Sequence, residues 1–153
     1  MVATRKKSKK LSVVSSNSLP DDLTVFVDCS LGRKIVPEML RSVGAKVIAH
    51  DEVFQQGTKD ETWLSEAGKK GWIVLTKDKR IRYRVNEINM LVRAKVGAVV
   101  LASRGDLQGK EMGEIFCKAL SAIQRLARKE KRPFIANLTK DGLLNKIYPP
   151  KKT

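Results

Sequence analysis

Two aspartates close short apolar runs in this chain. Asp28 ends LTVFVD, and Asp78 follows WIVLT by two residues. Asp60 and Glu61 form a third acidic point, just ahead of an amphipathic stretch. In an open parallel sheet, ligands bind beyond the carboxyl ends of the strands, where the strand order reverses. Were the first and third runs neighbouring strands, about 4.8 Å apart, Asp28 and Asp78 would converge on that crevice. Asp60 and Glu61 would enter from the same edge. Carboxylates brought this close repel one another in a low-dielectric crevice. A hard divalent cation, Mg²⁺ or Mn²⁺, relieves the repulsion because it prefers oxygen ligands. Such an ion can bind a phosphodiester oxygen and make a water nucleophilic. Lys77, Lys79, Arg80, Arg82 and Arg84 flank the third acid and are suited to hold a nucleic-acid backbone. Each acid also has an ordinary use. An Asp after a buried strand is often a turn former, and Asp60 stands where a helix N-cap is expected. The combination, rather than any one residue, points to a metal site.

The elements that must position these groups are legible in the hydrophobic pattern. Residues 23–28, 45–49, 72–76, 98–102 and 134–138 are short apolar runs expected to be buried strands. Residues 32–43 predict a helix with Ile35, Val36, Met39, Leu40 and Val43 on one face, Pro37 in its first turn and Gly44 just past its end. Helices are also expected from an N-cap at Asp60 to about residue 70, ended by Gly71, and over 85–95. The clearest lies over 110–130, where Met112, Ile115, Phe116, Ala119, Leu120, Ile123 and Ala127 recur at helical spacing. Strands alternating with helices imply a mainly parallel, five-stranded sheet covered on both faces, a three-layer α/β/α fold. The strand order that serves the acids is 2-1-3-4-5.

Composition narrows the class. The chain has 153 residues, enough for one domain, with 42% hydrophobic residues but only 5% aromatic. The core must therefore be mostly aliphatic. No apolar stretch approaches the ~18 residues that span a bilayer, and no secretory leader is expected. Two cysteines and one histidine exclude a disulfide framework and most zinc or His-based nucleophilic chemistry. A cytoplasmic location is expected. The net charge is +15. All 16 acids lie between residues 21 and 141, so the two ends supply +8 and the middle +7. A chain this basic is drawn to polyanions by counterion release, and RNA is the expected partner. Residues 1–20 are expected to be a disordered basic arm, 21–143 the folded domain and 144–153 a loose basic tail.

FVDCSLGRKIVPEMLRSVGAKVIAHDEVF, DETWLSEAGKKGWIVLTKDKRIR and FIANLTKDG together resemble the PIN-like nuclease superfamily, in its compact VapC-type toxin-like branch. The resemblance runs from about residue 25 to 142 and is most specific over 60–82. It implies a metal-dependent endoribonuclease holding Mg²⁺ or Mn²⁺ with Asp28, Asp60 beside Glu61, and Asp78. It also implies a small antitoxin protein as partner; a homodimer is compatible with it. A fourth acid or hydroxyl expected by the family pattern has Ser103 and Asp106 as candidates. Cys29 departs from the pattern, in which a charged or polar residue often stands.

The remaining chemistry-bearing residues have simpler expectations. His50 is expected to be a hydrogen-bonded structural histidine, with Asp51 beside it on the functional edge supporting the site. Cys29 and Cys117 are expected to be small buried residues, and Trp63 and Trp72 to face the core. Two rival functions share these features. A non-catalytic RNA- or ribosome-binding module would use the charge but not the acids. A receiver-like phosphoacceptor needs paired acids after the first strand, and here Cys29 follows Asp28.

Overall fold

The computed structural model describes residues 23–77, 85–102 and 107–150. Six strands form one sheet: β1 (Val25–Val27), β2 (Val47–Ala49), β3 (Ile73–Thr76), β4 (Gly97–Ala102), β5 (Phe134–Thr139) and β6 (Leu144–Tyr148). Their order is β2-β1-β3-β4-β5-β6. All neighbours run parallel except β5 and β6. The order expected for the first five strands is therefore found. It puts a topological switch between β1 and β3, where Val27 is in register with Leu75.

Helices α1 (Ile35–Ser42), α2 (His50–Val53), α3 (Asp60–Lys70), α4 (Val85–Ala94) and α5 (Gly109–Lys129) complete the described elements, with one 3-10 turn over Cys29–Leu31. Two layers cover the sheet. On one face Val36 and Leu40 of α1, with Met112, Phe116, Ala119 and Ile123 of α5, pack on Val25, Val27, Leu75, Val99 and Ala136. On the other, Trp63, Leu64 and Ala67 of α3 and Leu91 of α4 pack on Phe26, Val74, Ala98 and Val100. Successive side chains of a strand point to opposite faces, so Phe26 joins one core and its neighbours Val25 and Val27 the other. Strands buried on both sides need no polar alternation, which is why they read as unbroken apolar runs.

The helices start and stop for identifiable reasons. The spacing of Val36 and Leu40 brings both to the buried face of α1. Its start lies later than residue 32 because Gly32, at φ 91°, closes the 3-10 turn instead of opening the helix. Gly71 terminates α3 in the left-handed region, at φ 71° and ψ 22°. α2 was not expected from the sequence; four residues are too few for a periodic pattern. Its first turn is secured by Glu52, whose Oε1 accepts the Ala49 N–H at 2.9 Å.

The C-terminal segment corrects one expectation. Residues 144–148 are strand β6, pairing with β5, and not part of a loose tail. A register shift opposite Ile135 and Ala136 turns the strand, so Leu144 packs against one core and Tyr148 against the other. The Lys146 Nζ to Glu130 Oε1 pair, 2.8 Å, ties the edge strand to the end of α5. The basic composition around this segment hid its short alternation of half-buried and exposed residues. The expected arm over 1–20 lies outside the described residues.

Candidate functional site

The carboxyl ends of β1, β2 and β3 lie side by side. Asp28 follows β1 directly, and its N–H is bonded to the Leu75 carbonyl at 3.0 Å, continuing the parallel ladder past the last strand residue. Its side chain is half-buried. Asp28 Oδ2 accepts from Ser30 Oγ at 2.8 Å and from Thr76 Oγ1 at 2.8 Å. The two hydroxyl oxygens are 3.0 Å apart, and Ser30 Oγ also accepts the Lys77 N–H at 3.0 Å. The 3-10 turn after β1 brings Ser30 back over Asp28, while sheet register brings Thr76, fully buried at the end of β3. Both hydrogen bonds fall on one oxygen. Among the described residues none donates to Asp28 Oδ1, and no cation lies within ion-pair distance of Asp28, Asp60 or Glu61. That half-buried carboxylate, without a cationic partner among the described residues, fits an oxygen-preferring divalent ion.

Asp60 is the first residue of α3, not its N-cap, which is Lys59. Its Oδ1 accepts the Trp63 indole N–H at 3.0 Å instead of capping the helix. Trp63 in turn stacks on Phe26 of β1 at 5.2 Å between ring centroids. The first turn of α3 is thereby fixed against the strand that carries Asp28. Asp60 and Glu61 suit the positive end of the helix dipole. Glu61 is exposed and borders a small cavity shared with Ser65, Met90, Arg93 and Ala94, between α3 and α4.

Lys77 is half-buried just after β3. Asp78, Lys79, Arg80, Arg82 and Arg84 lie outside the described residues, as do Ser103 and Asp106. The expected convergence of Asp28 with Asp78 lies outside the described residues; what the structure places at hydrogen-bond distance from Asp28 is Thr76, the last residue of β3.

Asp51 is engaged differently. Arg33 Nε lies 2.9 Å from its Oδ2, and His50 Nδ1 lies 3.3 Å from its Oδ1. His50 is 5% exposed and packed among Phe26, Phe54 and Trp63, with centroids 5.9, 5.5 and 6.0 Å away. Trp63 and Trp72 face the core, at 4% and 8% exposed. Cys29 is exposed, not buried as expected, because the 3-10 turn swings it out of the strand line. Partial burial of its sulfur pushes the thiol pKa up, and the Asp28 and Asp51 carboxylates push it further. Cys117 is half-buried on α5.

Ser30 and Thr76 were missed by sequence reasoning. The available signal was the Asp-x-Ser spacing after one strand and a hydroxyl closing another, but hydroxyls at such places are common turn residues.

The family model for "PIN like domain" matches residues 23–103. A protein of Mycobacterium tuberculosis named "Putative ribonuclease VapC45" is 31% identical over 117 residues, covering 73% of this chain and 83% of that relative. No solved structure matches the chain significantly. Among the described residues no helix is long and apolar enough to cross a membrane.

Proposed function

Since the chain belongs to the PIN-like domain family, we propose that it is a metal-dependent endoribonuclease of the VapC toxin type. The observation that carries this is the Asp28 carboxylate, placed at the β1/β3 switch with one oxygen held by Ser30 and Thr76 and no cation partner among the described residues. Asp28, Asp60, Glu61 and Asp78 would hold the ion, with a hydroxyl or acid at Ser103 or Asp106 completing the set. A bound Mg²⁺ or Mn²⁺ supplies the Lewis acidity that phosphodiester hydrolysis needs. Ser30 and Thr76 act by orientation: two O–H donors on Oδ2 hold the carboxylate and leave Oδ1 without a donor among the described residues. Asp51, ion-paired with Arg33, steadies the loops at the β2 end. Lys77, Lys79, Arg80, Arg82 and Arg84 bind the RNA phosphates on either side of the cleaved bond.

The partner would be a small antitoxin protein whose tail enters the acidic groove, and a homodimer is compatible with this assignment. The site of action would be the cytoplasm. Purified protein with Mn²⁺ should cleave RNA, and chelation should stop it. Asp28→Asn and Asp78→Asn should each abolish cleavage while thermal unfolding stays cooperative. RNA binding that depends steeply on salt but not on chelator, with no cleavage by the parent protein, would make the chain a non-catalytic RNA-binding module instead.

A further inference from the structure

Next to the Asp28 carboxylate stands a second constellation with different chemistry. Cys29 Sγ, His50 Nδ1 and one oxygen of Asp51 lie within 4.8 Å of one another. His50 Nδ1 is 3.3 Å and Cys29 Sγ 3.9 Å from the same Asp51 oxygen, Oδ1. Tetrahedral zinc with Zn–S of about 2.3 Å and Zn–N and Zn–O of about 2.0–2.2 Å has ligand-to-ligand edges of roughly 3.4 Å for N–O and 3.6 Å for S–O. The two edges to Asp51 Oδ1 are within a few tenths of an ångström of these values, while Cys29 Sγ and His50 Nδ1, within 4.8 Å of each other, have to close toward about 3.6 Å by a rotation of the exposed Cys29 side chain. We propose that Cys29, His50 and Asp51 form a three-ligand site for a thiolate-preferring divalent ion, Zn²⁺ above all, separate from the carboxylates assigned to Mg²⁺ or Mn²⁺.

Three features favour this. The division of Asp51 leaves Oδ1 toward Cys29 and His50, while Arg33 occupies Oδ2 at 2.9 Å, so the ion pair that orients the carboxylate survives metal binding. The His50 ring is held between Phe26, Phe54 and Trp63, which fixes Nδ1 toward Asp51 at little further entropic cost. Cys29 and Asp51 are exposed, so an ion can enter and a water can take the fourth position. A set with one sulfur, one imidazole nitrogen and one carboxylate oxygen selects Zn²⁺ over Mg²⁺, which avoids sulfur. The site depends on neighbouring strand ends: Cys29 follows β1, and His50 and Asp51 follow β2, its parallel partner. It does not rest on the nuclease assignment.

The test uses the full chain under a phosphine reductant. Co²⁺ should give the intense visible bands of a tetrahedral centre and a thiolate-to-cobalt band in the near ultraviolet. One Zn²⁺ should displace it. Zn²⁺ should also shield one of the two thiols from a disulfide reagent. Cys29→Ser and Asp51→Asn should each weaken Zn²⁺ binding by at least about tenfold, while Cys117→Ser and Asp28→Asn leave it within about twofold. An octahedral cobalt spectrum without the thiolate band, or neither thiol shielded in the parent protein, overturns the proposal. So does Zn²⁺ binding that survives Cys29→Ser. Because two of these readings need no substitution, a variant that fails to fold does not obscure the answer.

Discussion

Thr76 Oγ1 stands 2.8 Å from Asp28 Oδ2, joining residues that are 48 apart in the chain. Thr76 is fully buried, and Asp28 is half-buried at the crevice. The bond lies at the one place where the sheet order turns from β1 outward to β3, so it links the carboxylate to the rigid centre of the fold.

Removing the hydroxyls that orient Asp28 should reduce RNA cleavage without removing a ligand. Thr76→Val and Ser30→Ala are each expected to lower the Mn²⁺-dependent rate by about 10–100-fold. The double variant should fall by less than the product, since both hydroxyls serve one oxygen. Initial rates at several Mn²⁺ concentrations check this, and rates equal to the parent's would remove Ser30 and Thr76 from the site.

The Arg41–Glu52 pair predicts a pH dependence of stability. The hydrogen bond from Arg41, with that from the Ala49 N–H, holds the Glu52 carboxyl below its ordinary value of 4.5. A carboxyl lowered in the folded state stabilises above its unfolded pKa, and that contribution is lost as pH falls through the folded value. Both side chains are substantially exposed, at 40% and 46%, so the effect is under about 1 kcal/mol. Glu52→Gln should lower the Tm by about 1–3 °C at pH 7, and the difference should shrink as pH drops below 4.5. Thermal melts across pH 3–7, a range about the ordinary carboxylate values, measure it.

Gly97 opens β4 against the ring of Phe134. A Cβ placed there would stand 2.5 Å from Phe134 Cε2 and Cζ, and 3.0 Å from Ile73 Cδ1. Phe134 is fully buried and cannot swing outward. Gly97→Ala should therefore cost about 1–3 kcal/mol through overpacking. Denaturant unfolding with an unchanged m-value would report it; stability equal to the parent's would contradict the packing described.

The basic arm should matter to affinity more than to catalysis. Residues 1–20 carry five cations and no acid. Deleting them should lower the slope of log affinity for single-stranded RNA against log salt by up to about 3–4, leaving the cleavage rate at saturating RNA unchanged. A slope identical to that of the full chain would mean the arm does not touch RNA.

The sequence alone determined the alternation of strands and helices and the two-sided core; the strand order is only compatible with the sequence, and the sheet decides it. Those two are carried by local apolar runs and helical periodicity, and α3 was legible to within one residue, Asp60 being its first residue where an N-cap is expected. It did not determine β6, whose few inward residues are split between two faces by a bulge. Nor did it determine what each polar side chain would do. That Asp60 binds Trp63 instead of capping its helix, that Asp51 is divided between Arg33 and His50, and that Ser30 and Thr76 both reach Asp28 follow from turn geometry and sheet register. A hydrogen bond is made or lost within a few tenths of an ångström, and a separation across 48 residues on that scale is a property of the packed sheet, which no local pattern of residues encodes.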